Sequence, residues 1–170
     1  MRLETQETDV EAVSIMGDFD GNRFRSTKQT YETPDSVFRP LDEEFGFTVD
    51  VAADAKNTKC KTFIDQERDA LKQEWGGTCW CNPPYNNLSK WVRKAFDEAQ
   101  AGRAITVMLI PSRTNTKWWH DYCMKGEVRF IRGRPKFVGC KHGLPQPLAV
   151  VIFKPQVNGQ TANAMGRRPA

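Results

Sequence analysis

The run Asn82-Pro83-Pro84-Tyr85 combines residue types that could act on a planar amine. Each proline removes a backbone donor and restricts φ, and Pro83 also disfavours helical geometry at Asn82. The result is a stiff turn in which the amide and carbonyl oxygens near Asn82 face one fixed point. Tyr85 adds a flat ring for stacking. Acceptors beside a stacking face suit a ring that bears an amine, so these four residues form the predicted catalytic site.

The alternative for this run is an ordinary strand-to-helix turn, because Asn-Pro commonly marks such turns. The full four-residue run after a short apolar stretch is more specific than Asn-Pro alone. We therefore favour the catalytic interpretation.

An acid lies inside an apolar run earlier in the chain. Residues 47–54 are predicted to form a buried strand that contains Asp50, and a buried carboxylate without a partner is costly. The partner is either a ligand or a structural donor such as a helix N-terminus. Ala52 and Ala53 would allow a ligand to approach closely. Ligands of open α/β sheets gather at the carboxyl ends of strands, which makes this position a candidate binding site.

Two polar segments after the turn could contact nucleic acid. Residues 111–120 mix cationic, small polar and aromatic side chains, as readers of single-stranded or flipped-out bases do. Residues 132–136 are rich in positive charge and suit phosphate, although a solvated turn explains them equally well. At least one of Trp118 and Trp119 is expected in the core. The predicted contacts to substrate or DNA are Arg113, Thr114, Lys117, Trp118, Arg132 and Arg134.

A βαβ unit is predicted to position the Asn82 turn. A strand immediately precedes the turn, and residues 104–110 form an unbroken apolar run suited to a central parallel strand. The helix between them is amphipathic, with Asn86 or Asn87 as its cap and a stop at Gly102. Strand, helix and strand at this spacing are typical of an α/β fold with a mostly parallel sheet.

Further elements are predicted on either side of this unit. Thr33 is a suitable N-cap and Pro34 a suitable first residue for a helix that Pro40 kinks or divides and Gly46 ends. Short elements are expected at 60–64 (strand), 69–75 (helix) and 116–123 (helix). Strands at 127–131 and 148–153 are expected to pair antiparallel.

Length and composition indicate one domain with a mild positive charge. The 170 residues carry a net charge of +4, which is compatible with nucleic acid. We predict a domain at 29–155 between a flexible arm at 1–28 and a flexible tail at 156–170. No apolar run suits a membrane span or a signal peptide. The five cysteines form no Cys-x-x-Cys pair, so reduced thiols in a cytoplasm are expected.

No metal site is predicted. Cys123, Cys140 and His142 could be imagined around zinc, but their spacing matches no usual pattern. No obligatory protein partner is evident either. The candidate chemistry therefore depends on the turn at Asn82-Pro83-Pro84-Tyr85 and on the residues around it.

Asn82-Pro83-Pro84-Tyr85 resembles the [Asp/Asn/Ser]-Pro-Pro-[Tyr/Phe/Trp] motif of amino-methyltransferases that use S-adenosylmethionine (AdoMet). From about Thr33 to Phe153 the chain is similar to the small phage and prophage DNA N6-adenine methyltransferases, the phage Dam-like family. The resemblance implies a single Rossmann-like methyltransferase domain, mostly parallel with an antiparallel terminal strand. It also implies double-stranded DNA as substrate, transfer to N6 of a flipped-out adenine, and GATC as the recognition sequence.

The resemblance further implies where AdoMet binds. Asp50-Val51-Ala52-Ala53 occupies the first AdoMet motif of the family, in place of the Gly-x-Gly of most methyltransferases. Asp69 matches the acid that contacts the adenine or ribose of AdoMet, although capping of a helix N-terminus explains it almost as well. The implied cofactor-binding residues are Thr33, Pro34, Asp50, Ala52, Asp69 and Asn82.

Two other functions are compatible with the motif. An RNA base or a protein glutamine offers the same planar conjugated nitrogen as adenine. A protein that binds DNA without catalysis could also keep this fold, although the intact motif argues against it.

Overall fold

A computed structural model describes residues 32–140 and 142–156 of the chain. The predicted arm at 1–28 and the predicted tail, except for residue 156, lie outside the described residues. Within them, no helix has the length and apolar character needed to cross a bilayer. All five cysteines are described and are free, as the sequence predicted.

Six strands form one sheet in the order β2-β1-β3-β4-β6-β5. Strands β2, β1, β3 and β4 run parallel to one another, and β6 runs antiparallel to both β4 and β5. This arrangement confirms the predicted α/β class, with its antiparallel terminal strand. The strands are β1 (Val49–Asp50), β2 (Thr62–Phe63), β3 (Gly77–Cys81), β4 (Ala104–Pro111), β5 (Glu127–Phe130) and β6 (Leu148–Phe153).

Helices cover the two faces of the sheet. Along β4, Val107 and Leu109 point to a cluster that contains Phe38 and Leu41 of the first helix. The alternate β4 side chains point to the other cluster, which contains the buried face of the second helix. A strand buried on both faces is expected to be mainly apolar, as β4 is apart from the buried Thr106. The α-helices are α1 (Asp35–Phe45), α2 (Leu88–Gln100) and α3 (Lys117–Asp121).

The predicted βαβ unit is confirmed, because β3 and β4 are parallel neighbours joined by α2. A 3-10 turn over Tyr85–Asn87 precedes α2, and the Asn87 side chain makes no capping hydrogen bond. The periodic face is buried as expected at Leu88, Val92, Ala95 and Ala99. Glu98 is also fully buried, which the pattern did not predict.

The start of α1 differs from the prediction. The helix begins at Asp35, with Pro34 in the N-cap position and no side-chain capping bond. The Thr33 hydroxyl instead accepts from a distant side chain, so the predicted cap is wrong. Pro40 lies inside one uninterrupted helix rather than between two. Gly46 ends α1 with φ of 63°, as expected for a left-handed cap.

Three predicted elements are shorter in the structure. The strand predicted at 47–54 is paired only at Val49–Asp50, because the chain turns directly after Asp50. The helix predicted at 69–75 is a single 3-10 turn, Ala70–Lys72. The helix predicted to run to Cys123 ends at Asp121 and is followed by a 3-10 turn.

The sheet order brings the predicted site segments to one edge. The chain leaves β1 towards β2 on one side and later crosses to β3 on the other, so the gap between β1 and β3 is a topological switch point. The carboxyl ends of β1, β3, β4 and β5 all lie at this edge, because β6 reverses direction between β4 and β5. Open α/β sheets bind ligands at such a point.

Candidate active site

A cleft of about 330 Å³, counting its solvent-open part, lies at the switch point. Side chains from the segment before α1, from the loop after β1 and from the turn after β3 line it together. The lining residues are Thr33, Asp50, Ala52, Asn57, Lys59, Trp80, Asn82 and Pro84. Its mixture of aromatic and polar groups suits a small ligand.

Asn82 lies at the cleft with its amide held by two side chains. Its Nδ2 donates to Thr33 Oγ1 at 3.1 Å, and its Oδ1 accepts from the Tyr85 hydroxyl at 3.3 Å. Pro83 is buried and Pro84 lines the cleft, so the rigid turn predicted from the sequence borders the cavity. The Asn82 amide is thus an oriented donor–acceptor group at the wall of the cleft.

Tyr85 is half-buried at the start of the 3-10 turn that leads into α2. Its ring packs against the core cluster on the α2 side of the sheet. The hydroxyl contact with Asn82 therefore fixes one end of a ring whose body is held by packing. This is the side chain that the sequence predicted as a stacking surface.

Asp50 is 3% exposed and both of its carboxylate oxygens accept backbone N–H groups. One oxygen accepts from Ala52 at 3.3 Å and the other from Lys59 at 3.1 Å. Burial raises the pKa of Asp50 to about 6, against the smaller opposite effects of these two donors and of the Lys59 charge. The partners that a buried carboxylate requires are therefore backbone N–H groups, and these contacts close the loop after β1. Asp50 also lines the cleft.

Lys59 joins that loop to the segment before α1. Its ammonium lies 3.1 Å from the Glu32 carboxylate and 3.3 Å from that of Asp35, and its side chain is only 13% exposed. The hydrogen bond from Lys59 holds the pKa of Asp35 below its usual value. The Lys59 ammonium is therefore paired with both carboxylates at the wall of the cleft.

Cys81 precedes Asn82 but does not offer a nucleophile. It is completely buried, and this burial raises its pKa well above the usual value for a thiol, with the negative charge of Asp50 adding to the effect. A neutral, buried thiol is unreactive. Covalent catalysis through Cys81 is therefore disfavoured.

The structure brings four of the six predicted cofactor residues to the cleft and leaves two outside its lining. Thr33, Asp50, Ala52 and Asn82 line it, whereas Pro34 and Asp69 do not. Asp69 has φ of 48°, accepts the Leu71 N–H and pairs with Lys72, so its carboxylate caps a 3-10 turn. In this structure Asp69 therefore has the capping role that the sequence analysis gave as the alternative to AdoMet binding.

The predicted DNA-contacting segments lie at the same edge of the sheet. Ser112 follows β4 and donates its N–H to Pro147 O at 2.9 Å, while Val138 donates to Glu32 O at 3.1 Å beside the cleft. Arg132 and Arg134 are exposed, and Trp119 is core as expected of one tryptophan. The other predicted contacts are Arg113 (donating to Gln146), Thr114 (exposed), Lys117 (paired with Asp121) and Trp118 (half-buried).

Sequence reasoning missed three residues of the cleft. Asn57 and Lys59 lie in a polar loop that has no periodicity, so only the pairing of Lys59 N–H with Asp50 brings them to the site. The sequence pattern places Trp80 in a strand and does not assign it to the site. An aromatic side chain two residues before Asn82 on a strand would have been a usable signal, because it shares a face with Asn82.

Comparison with known proteins agrees with this geometry. Residues 21–156 match the family described as DNA N-6-adenine-methyltransferase (Dam). A DNA N-6-adenine-methyltransferase of Haemophilus phage HP1 (strain HP1c1) is 32% identical over 146 residues, which cover 79% of this chain and 84% of the relative. One of Escherichia phage T1 is 31% identical over 110 residues, 59% of this chain and 46% of that relative. The family match covers most of the chain and includes the Asn82 turn, so this protein belongs to the Dam family of DNA N-6-adenine methyltransferases, which are AdoMet-dependent enzymes.

Proposed function

We propose that this protein methylates N6 of an adenine that has been turned out of double-stranded DNA, at a specific sequence. The observation that carries the proposal is the fixed Asn82 amide at the cleft between β1 and β3. A planar amine that enters the open side of the cleft would meet this amide and the ring of Tyr85.

The cleft residues fit AdoMet in their chemistry. Asp50 and the Asn82 amide provide acceptors, Trp80 provides an aromatic face, and the small side chain of Ala52 leaves room for close approach. When bound, AdoMet supplies a methyl group activated by a sulfonium. We propose that Thr33, Pro34, Asp50, Ala52, Asp69 and Asn82 form its binding region; the lining position of Asp50 supports its place in this set, whereas Asp69 rests on the resemblance alone.

Asn82 and Pro83 would make the adenine amine a better nucleophile. The N6 lone pair is delocalised into the ring, and acceptors that bind the N6 hydrogens return electron density to the nitrogen. The same acceptors stabilise the positive charge that develops there, which is preorganised electrostatic catalysis. A carbonyl oxygen has two lone pairs, so Asn82 Oδ1 can accept from Tyr85 and from the amine together.

Tyr85 would position the base by stacking on it. Its ring is held by packing and by the contact with Asn82, so little conformational freedom remains to be lost. Aromatic faces also favour nearby positive charge. Pro84 completes the turn and lines the cleft.

Base flipping would give a role to the basic segments that follow β4 and β5 at the sheet edge of the cleft. The exocyclic amine cannot meet Asn82 while adenine is stacked inside a duplex. Arg132 and Arg134 are exposed after β5, and Arg113 follows β4 at the same edge. Contacts from these residues to phosphate would hold the duplex while the base enters the cleft.

Mapping of modified bases tests this proposal directly. The chain would be expressed in cells that lack adenine methylation, and DNA and RNA would be analysed for modified nucleosides. We expect N6-methyladenine in DNA at one short sequence, with GATC as the candidate. Methylation confined to RNA, or adenine methylation without sequence preference, would contradict the proposal.

A further inference from the structure

Thr33 is fixed in place although it lies before the first helix. It is 2% exposed, although it lies outside any helix or strand. Its neighbour Glu32 accepts the Val138 N–H through its backbone and pairs with Lys59 through its side chain. Pro34 restricts Thr33 to extended geometry and accepts the first backbone bonds of α1. The Thr33 hydroxyl is therefore fixed relative to the sheet.

The hydrogen bond from Asn82 to Thr33 spans 49 residues and connects the fixed segment to the proposed catalytic amide. An amide is planar, so contacts at both of its ends hold its position and its plane. Tyr85, which donates to Oδ1, supplies the second contact.

We propose that Thr33 is a positioning residue that anchors the Asn82 amide at the cleft, so that the amide is held where it can meet the target amine. The inference rests on the proposed function of Asn82. It gives the Thr33 hydroxyl a task beyond lining the cofactor cleft, because the hydroxyl acts through Asn82. The segment before α1 then serves as part of the catalytic scaffold.

Substitutions at Thr33 separate these roles. Thr33→Val keeps the shape of the side chain but cannot accept a hydrogen bond, while Thr33→Ser keeps the hydroxyl. We expect Thr33→Val to lower the single-turnover rate of methyl transfer by about 10- to 100-fold. Thr33→Ser should restore a rate near that of the wild type. AdoMet affinity, measured by calorimetry, should change much less than the rate in both variants. Thr33→Ala provides the same comparison if Thr33→Val does not fold.

Several results would overturn the inference. They are an unchanged rate in Thr33→Val, a loss that appears only as weaker AdoMet binding, or no rescue by serine. Asn82→Ala distinguishes this failure from failure of the proposed function. If Asn82→Ala is inactive while Thr33→Val is normal, only the role of Thr33 is wrong. If Asn82→Ala is active, the proposed catalytic role of Asn82 fails as well.

Discussion

Asp50 accepts the backbone N–H of Lys59 at 3.1 Å and thereby closes the loop that forms one wall of the cleft. The same lysine pairs through its side chain with Glu32 and Asp35 before and at the start of α1. One carboxylate at the end of β1 thus fixes a loop, and that loop anchors the segment that carries Thr33. The site is assembled from three separate parts of the sequence around this contact.

The pH dependence of stability should report on Asp50. Burial raises its pKa to about 6 from an ordinary 3.8, so the folded state binds the proton more tightly than the unfolded state. The stabilising contribution is complete below about pH 4 and is lost as the pH rises through 6, by up to about 3 kcal/mol. The amide that replaces the carboxylate in an Asp50→Asn variant cannot titrate. The difference in unfolding free energy, wild type minus variant, should therefore fall between about pH 4 and pH 7 in urea titrations.

Asp97→Asn on the exposed face of α2 is the control for this measurement, since it makes the same change from carboxylate to amide away from the cleft lining. The affinity for AdoMet, measured across the same pH range, tests the role of Asp50 in cofactor binding. An ionised Asp50 attracts a cationic ligand, so wild-type affinity should rise from about pH 5 to pH 7 while Asp50→Asn binds more weakly at pH 7. Equal affinities at neutral pH would refute a cofactor role for Asp50.

Tyr85 should matter more for its ring than for its hydroxyl. Tyr85→Phe removes the hydroxyl that donates to Asn82 Oδ1 and keeps the ring, so we expect a loss of transfer rate of about tenfold or less. Tyr85→Ala also removes the stacking face, which is worth about 1–3 kcal/mol per base, and should weaken DNA binding in addition. Rates and DNA affinities of the two variants provide the comparison. Equal DNA affinities for the phenylalanine and alanine variants would exclude stacking.

Glu98 should stabilise the fold at neutral pH and lose this effect as the pH falls, whereas the contribution of Asp50 is lost as the pH rises. Burial raises the pKa of Glu98, but hydrogen bonds from Arg103 and Lys94 outweigh it and leave the pKa below the ordinary 4.5. Its contribution is present above about pH 4.5 and is lost as the pH falls. Glu98→Gln should cost about 1–3 kcal/mol at pH 7 and less near pH 4, by chemical denaturation.

Glu43 is an exposed residue of α1 and suits a matched control, because Glu43→Gln should change stability very little. A pH-independent loss in Glu98→Gln would mean that packing, and not the two ion pairs of Glu98, accounts for its effect. Cofactor affinity should be unaffected in either variant, since Glu98 is not among the residues that line the cleft.

Arg132 and Arg134 should contribute to DNA binding through charge. Both are exposed after β5 at the edge that carries the cleft. Each alanine substitution should weaken DNA binding and reduce the slope of log affinity against log salt by about one. Arg93 on α2 is exposed and away from this edge, so Arg93→Ala is the control. Unchanged salt slopes in the Arg132 and Arg134 variants would remove these residues from the interface.

Local patterns in the sequence predict much of the scaffold. The apolar run at 104–110 and the amphipathic helix before it indicate the βαβ unit, and β6 lies where its apolar run predicts. Residues whose partners are distant are not predictable in this way. Thr33 fits the pattern of a helix cap because a cap is a local role, whereas its partner is Asn82. The burial of Glu98 depends on Lys94 and on Arg103 beyond the end of the helix, so helical periodicity does not reveal it.

The contacts of Asp50 show the same limit. The sequence requires a partner for a buried carboxylate but does not identify it, since the Lys59 N–H reaches Asp50 only through the path of the loop. The strand predicted at 47–54 is also too long, because the Ala52 N–H turns back to Asp50 and ends the pairing early. Cleft residues in such a loop can be identified only from the structure.

Transfer of a labelled methyl group to adenine-containing duplex DNA by Asn82→Ala tests the central claim most directly. Asn86, exposed in the 3-10 turn that follows Pro84, provides the control Asn86→Ala. We predict that Asn82→Ala loses about 100-fold or more of the transfer rate, that its AdoMet affinity stays close to that of the wild type, and that Asn86→Ala is active. Near-wild-type transfer by Asn82→Ala would contradict the account.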